Sequence, residues 1–134
     1  MDVTPLSYGI KVLNEEMSPI INRNTAYPFK TFKPYVTAYN NQDAVDIEIF
    51  QGEQKQTHNN HYLGKFTVTQ LPRAKAGAVK ILVTFEIDED GILVVRAFEP
   101  SSGISKNVTV TNALDRLSEE QVNQLVLEAE AMRI

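Results

Sequence analysis

Apolar and polar residues alternate with period two over most of this chain, the spacing that puts apolar side chains on one face of a β-strand. The cleanest run is Val79 to Ile87, where Val79, Ile81, Val83, Phe85 and Ile87 face one way and Lys80, Leu82, Thr84 and Glu86 the other. Glu89-Asp90-Gly91 then predicts a hairpin return along Ile92 to Phe98, with Asp-Gly supplying the positive backbone angles of a tight primed turn. After Pro100-Ser101-Ser102-Gly103 a last strand runs from roughly Ser105 to Thr111. Upstream, Tyr35 to Glu53 holds two alternating runs joined by Asn40-Asn41-Gln42-Asp43, which reads as a second β-hairpin. On its second run Val45, Ile47 and Ile49 share one face, with Asp46, Glu48 and then Phe50 on the other.

Earlier in the chain, Leu6 to Leu13 reads as a strand stopped by Asn14-Glu15-Glu16, and Met17 to Ile21 resumes the apolar signal. Asn22 to Thr25 turns the chain towards Tyr27-Pro28. In the short strand Leu63 to Val68, Leu63 shares a face with Phe66 and Val68 only if Gly64 marks a bulge. Seven or eight short strands at this spacing predict a mainly β fold, an antiparallel β-sandwich. The pattern changes at Leu117-Ser118-Glu119-Glu120-Gln121: Ser118 is a good N-cap, Gln121 completes a capping box, and Leu117 with Val122 has the spacing of a hydrophobic staple. Val122, Leu125, Val126, Ala129 and Met132 continue as one helical stripe. We therefore expect a β-sandwich over residues 1–116 and a helix over 117–134, and the helical pattern running to Ile134 suggests that a longer helical part is truncated.

A length of 134 residues suits one domain, and 43% hydrophobic with 22% charged residues argues against disorder. The formal charge of −4, with lysines and arginines scattered, offers no basic field for nucleic acid or an anionic membrane. The absence of cysteine excludes a disulfide framework and a thiolate nucleophile and fits a reducing compartment. The start MDVTPLSYGIKV has no signal-peptide pattern, and no apolar run reaches about 18 residues, so the expected location is cytoplasmic.

Catalytic chemistry has little foothold. No serine sits in a nucleophile elbow, glycines occur singly and so build no phosphate cradle, and His58 with His61 make a thin metal site among amides. Asp88, Glu89 and Asp90 belong to the hairpin turn, and Asp46 with Glu48 to a solvated strand face.

The motifs in order are Asp2-Val3-Thr4-Pro5-Leu6-Ser7, Gly9-Ile10, Arg23-Asn24-Thr25 with Pro28, Asn41-Gln42 with Ala44-Val45, Gln51-Gly52-Glu53, Leu63-Gly64-Lys65-Phe66, Val83-Thr84-Phe85 with Ile87-Asp88, and Asp90-Gly91-Ile92-Leu93. Together they resemble the substrate-binding domain of Hsp70 (DnaK-type) chaperones over essentially the whole chain, ending at the start of a lid helix. The resemblance implies a sandwich that grips short, extended, hydrophobic segments of unfolded proteins, non-enzymatic by itself. ATP and Mg are then expected only in a separate nucleotide-binding domain, with that domain and co-chaperones as partners in a full-length protein. Under the resemblance Ile10, Val12, Tyr35, Val45, Ile47 and Ile81 match the pocket lining, Leu13 and Ala38 the arch over the bound backbone, and Gln42 a turn residue beside it. Asp2, Arg23, Asn24 and Pro28 match the face that meets the nucleotide domain.

Departures from the pattern are specific. Asn14-Glu15-Glu16 adds negative charge at the groove mouth, which predicts a preference for peptides flanked by Lys or Arg. Ala76 and Asn40 stand where many members carry an arginine and an acidic residue that latch the lid, and Tyr35 and Tyr39 are bulkier or more polar than expected. The alternative is an adaptor or structural domain that kept the fold for one dedicated partner. The exposed stripe of the C-terminal helix is also a candidate for self-association.

Overall fold

The computed structural model describes residues 2–110. Eight strands form: β1 (Tyr8–Val12), β2 (Glu16–Ile21), β3 (Phe29–Val36), β4 (Val45–Gln51), β5 (His61–Val68), β6 (Lys80–Ile87), β7 (Leu93–Glu99) and β8 (Ile104–Val110). They make two four-stranded antiparallel sheets, ordered β2-β1-β4-β5 and β3-β6-β7-β8. The expected mainly β fold of antiparallel sheets is what forms. The helix expected over 117–134, and the boundary at 116, lie outside the described residues.

One core joins the inner faces of both sheets. Tyr8, Ile10, Ile21, Ile47, Ile49, Phe66 and Val68 meet Val79, Ile81, Val83, Phe85, Ile87, Leu93 and Val95 there. The alternation in β6 is obeyed throughout, since Val79, Ile81, Val83, Phe85 and Ile87 are all buried while Leu82, on the other face, is not. Packing at the other end is tight enough to require glycine. A Cβ at Gly9 would lie 2.1 Å from the Ser18 carbonyl oxygen on neighbouring β2, a distance closed to any side chain.

Two sequence expectations fail, for identifiable reasons. Tyr35 to Glu53 is not a hairpin: β3 pairs with β6 in one sheet, while β4 pairs with β1 and β5 in the other. Both edges of β4 are thus already filled. Pro34, which lacks an N–H, sits in β3 on a sheet edge, where a missing donor is tolerated. The connection from Thr37 to Ala44 is an arch between layers. The Asp88–Gly91 turn is a hairpin but not a primed one. Gly91 alone in that turn has positive φ (81°), and its N–H bonds to the Asp88 carbonyl (3.1 Å) while Asp88 N–H bonds to the Ile92 carbonyl (3.0 Å). That is a type I turn closed by a left-handed glycine. The Asp88 carboxylate accepts from the N–H groups of Asp90 and Ile92 and so holds the ordinary turn in place.

The open register in β5 resolves as a bulge. Ile49 pairs with Gly64 and Phe50 with Tyr62, leaving Leu63 unpaired and turned inward, 8% exposed, with Phe66 and Val68. The same slip turns Phe50 against Tyr62, ring centroids 5.6 Å apart and edge-on.

Candidate functional site

At the end of the sandwich where β1 runs out and β4 begins, the two sheets open into a cleft of about 1190 Å³. That exceeds the roughly 300–1,000 Å³ of ordinary small-molecule sites and suits a piece of polymer. Its floor is set by strand alternation. Ile10 on β1, Ile47 on β4 and Ile81 on β6 are 4%, 2% and 3% exposed, each on the inner face of its strand, and half-buried Val12, Tyr35 and Val45 form the walls above them. Leu13 rises on one side, 57% exposed, in a 3-10 turn that follows β1; Ala38 faces from the arch. All nine residues singled out from the sequence, Ile10, Val12, Leu13, Tyr35, Ala38, Gln42, Val45, Ile47 and Ile81, line this one cleft.

The arch is held by its own side chains. The Gln42 amide oxygen accepts from the N–H groups of Ala38 (2.9 Å) and Tyr39 (3.2 Å), and its amide nitrogen donates to the Ala44 carbonyl (3.0 Å). Gln42 therefore shapes the turn. Five bonds staple the arch to the loop before β6: Thr37 N–H to the Val79 carbonyl (3.0 Å), Gly77 N–H to the Thr37 carbonyl (2.8 Å), Asn41 N–H to the Ala74 carbonyl (2.7 Å), Leu71 N–H to the Asp43 carbonyl (2.9 Å), and Ala76 N–H to the Asn40 side-chain oxygen (2.9 Å). The two positions at which the sequence departs from a latch are bonded to each other.

Tyr35 does not hang into the cleft by its hydroxyl. That group is 2.8 Å from Ser18 Oγ on β2, which also accepts from Lys33 Nζ (3.0 Å), so the phenol bridges the two sheets. Burial pushes the Tyr35 pKa up, against the opposing effect of its hydrogen bond with Ser18. At the rim Lys11 pairs with Glu48, and the hydrogen bond between them raises the lysine pKa. Of the acidic loop residues, Glu15 lines the cleft, whereas Glu16 turns away and its carboxylate lies 3.5 Å from Lys55 Nζ. The added charge at the mouth is thus smaller than the sequence suggests.

Sequence reading missed Lys11 and Lys80 as lining residues, and Tyr39, singled out there as bulkier or more polar than expected, lines the cleft as well. Lys11 and Glu48 fall on outward positions of neighbouring strands, a cross-strand pair that becomes visible only once β1 is known to lie beside β4. Tyr39, 65% exposed in the arch, carried no periodic signal.

Asp2, Arg23, Asn24 and Pro28 gather at the other end of the first sheet, where Tyr8 pairs with Ile21. The Asp2 carbonyl accepts from Tyr27 N–H (3.2 Å), Asn24 N–H donates to the Thr4 carbonyl (2.7 Å), and Arg23 N–H donates to Ser7 Oγ (3.0 Å). The Ser7 hydroxyl and N–H in turn donate to the Glu53 carboxylate at 2.6 and 2.8 Å. Pro28 follows a cis peptide bond. His58 is exposed in a 3-10 turn and His61 opens β5; no group of three metal-ligating side chains occurs among the described residues.

The family model described as Hsp70 protein matches residues 1–134. The chain belongs to the Hsp70 family. A heat shock 70 kDa protein of Penicillium citrinum is 42% identical over 130 residues, covering 97% of this chain and 26% of that protein. One from Trichophyton rubrum is 41% identical over 97% of this chain and 20% of its own length. The chaperone protein dnaK of Phaeodactylum tricornutum is 44% identical over 97% and 21%. The chain thus spans about a fifth to a quarter of the curated relatives it matches. In this Hsp70-family chain, the cleft can bury apolar side chains on an isoleucine floor, while Lys11, Glu15, Asp46, Glu48 and Lys80 set charge of both signs along its rim.

Proposed function

We propose that this chain is the peptide-binding module of an Hsp70-type chaperone, holding short extended hydrophobic segments of unfolded polypeptide in the cleft between β1, β4 and the arch. The observation that carries this reading is the convergence of the apolar residues from three strands and the arch on one open cleft. An extended segment offers a side chain to such a floor at alternate positions and leaves its backbone groups for sequence-tolerant hydrogen bonds. Burying one Leu-like side chain is worth roughly 1.5–3 kcal/mol, enough to prefer apolar segments and too little to demand one sequence.

The module acts without chemistry of its own and needs no cofactor; ATP and Mg belong to a nucleotide-binding domain of a whole protein. Asp2, Arg23, Asn24 and Pro28 are the surface through which that domain couples to the cleft. Unfolded clients in the cytoplasm are its partners, with co-chaperones acting on the whole protein, and nucleic acid and membranes are not. Titration with a labelled, Leu-rich extended peptide tests the reading: saturable binding, competed by unlabelled peptides of unrelated apolar sequence, is expected. Binding to a single sequence across an array of apolar peptides would instead indicate an adaptor with one dedicated partner, and no binding at all would remove the proposal.

A further inference from the structure

One polar bridge ties the two sheets together in the same row as the cleft floor. β2 and β3 are edge strands of different sheets, so no strand ladder joins them. Side chains cross the seam instead. The Tyr35 hydroxyl lies 2.8 Å from Ser18 Oγ. Lys33, two residues earlier on the same face of β3, donates from Nζ to Ser18 Oγ (3.0 Å) and to the Pro19 carbonyl (3.3 Å). The register of the ladders gives this contact its meaning. Ser18 stands opposite Ile10 on β1, and Tyr35 stands opposite Ile81 on β6. A single rung, Ile10–Ser18···Tyr35–Ile81, therefore runs from one floor isoleucine round to the other.

Tyr35 is both wall and bridge: its side chain lines the cleft, while its hydroxyl is held on a serine that does not line it. A ring fixed at both ends, by the backbone of β3 and by Ser18, has one position. A ligand side chain too large for the space between Ile10, Ile81 and that ring must swing the ring or part the sheets, and either motion breaks the bridge. We propose that the Tyr35–Ser18 bridge, braced by Lys33, is a positioning device that sets the width of the cleft floor and so the largest side chain the cleft accepts, favouring Leu-sized over indole-sized groups. The inference rests on the cleft's binding apolar segments and adds which of them it holds best. Tyr35 meets the ligand through its ring; Ser18 and Lys33, which do not line the cleft, act through Tyr35.

Ser18→Ala removes the bridge without changing a lining residue. Neutral extended peptides that differ in one central residue, Leu or Trp, are titrated against the full 134-residue chain by fluorescence anisotropy, with a thermal melt for each variant. The parent should bind the Leu peptide more tightly. Ser18→Ala should reduce the Leu-to-Trp affinity ratio about two- to tenfold, the worth of one intramolecular hydrogen bond, chiefly through tighter binding of the Trp peptide. Ser18→Thr, which keeps a hydroxyl there, should restore the parent's ratio. Adding Tyr35→Phe to Ser18→Ala should change the ratio little further, because both substitutions remove the same bond. Lys106→Met is the control: it cuts the bond from Lys106 Nζ to the Thr67 carbonyl (2.8 Å) across the opposite seam, between β5 and β8, and should leave the ratio at the parent's value. Equal weakening of both peptides in Ser18→Ala, with a lower melting temperature, would make the bridge a stability contact alone. An equal fall of the ratio in Lys106→Met would make the effect a general loosening of the sandwich. Either result, or a parent that binds peptides without preferring Leu, overturns the proposal and leaves the proposed function standing. A parent that binds neither peptide removes both, so the two failures are told apart.

Discussion

Val45→Phe is the substitution that most directly separates cleft from core. Val45 opens β4 opposite Val68, half-buried, with one side on the core and the other on the cleft beside Ile47. A phenyl ring there has room to grow outward, so its added volume enters the cleft and the stability cost stays at or below the roughly 1–3 kcal/mol of a tightly overpacked site. A ligand would lose the burial of one apolar side chain, roughly 1.5–3 kcal/mol. At about 1.4 kcal/mol per tenfold, affinity should fall about 10- to 150-fold. Fluorescence anisotropy with a labelled Leu-centred peptide measures the loss, while circular dichroism and a thermal melt establish that the variant folds. A variant that melts as a cooperative unit yet binds within about twofold of the parent would refute the cleft assignment. Val45→Ala, which opens the space, should keep binding and so shows that filling, not mere change, is responsible.

Glu15→Lys at the cleft mouth should reverse the expected preference for Lys-flanked over Asp-flanked peptides by about two- to fivefold at low ionic strength, fading as salt screens it; equal affinities in parent and variant would remove the electrostatic argument. Glu99, 2% exposed, is pushed up by desolvation, but hydrogen bonds from Ser101 N–H (2.8 Å), Ser101 Oγ (2.7 Å) and Ser102 N–H (2.8 Å) outweigh that and hold its pKa at about 2. A folded-state pKa below the ordinary 4.5 means that its contribution to stability is present above about pH 4.5 and lost as pH falls towards 2. Denaturant titrations across this range should show the parent losing stability more steeply than Glu99→Gln, and parallel profiles would count against it. Gly9→Ala forces a Cβ to 2.1 Å from the Ser18 carbonyl oxygen and should cost about 3 kcal/mol or more by separating β1 from β2; an unchanged melting temperature would show that the strands yield there.

Period-two alternation announced most of the strands, because a sheet with one buried face leaves that trace whatever its neighbours are. It missed β3, which runs Phe29–Val36 although the predicted run starts only at Tyr35, because this edge strand buries no residue fully and so shows no alternation. It did not announce pairing. The two runs around Asn40 to Asp43 fit a hairpin and an arch equally well, and what decides between them lies far away: β1 and β5 fill both edges of β4, and β6 takes the one edge that Pro34 leaves to β3. The Asp90-Gly91 turn failed on a smaller scale. The dipeptide permits two positive angles, but the Asp88 carboxylate, bonding to the N–H groups of Asp90 and Ile92, favours the turn that uses only one. The Leu63 bulge was legible as a condition, since the apolar pattern of β5 closes only if Gly64 absorbs an extra residue.

The site divides in the same way. Inward isoleucines on β1, β4 and β6 follow from alternation, but alternation alone would assign them all to the core; only the opening of the sheets at one end makes Ile10, Ile47 and Ile81 a floor. Polar residues were harder to read because their partners are not local. Gln42 serves three backbone groups of its own arch, Tyr35 spends its hydroxyl on Ser18, and Glu16 is turned outward to Lys55. Each of these contacts draws a polar group away from the cleft, which leaves its interior more apolar than the residue types suggest. Asn40 and Ala76 complete the pattern. A neutral amide bonded to the facing backbone fixes the arch against the loop before β6, beside an exposed ion pair between Asp43 and Arg73 (3.8 Å), so among the described residues this rim holds its shape chiefly through hydrogen bonds to the adjoining loop.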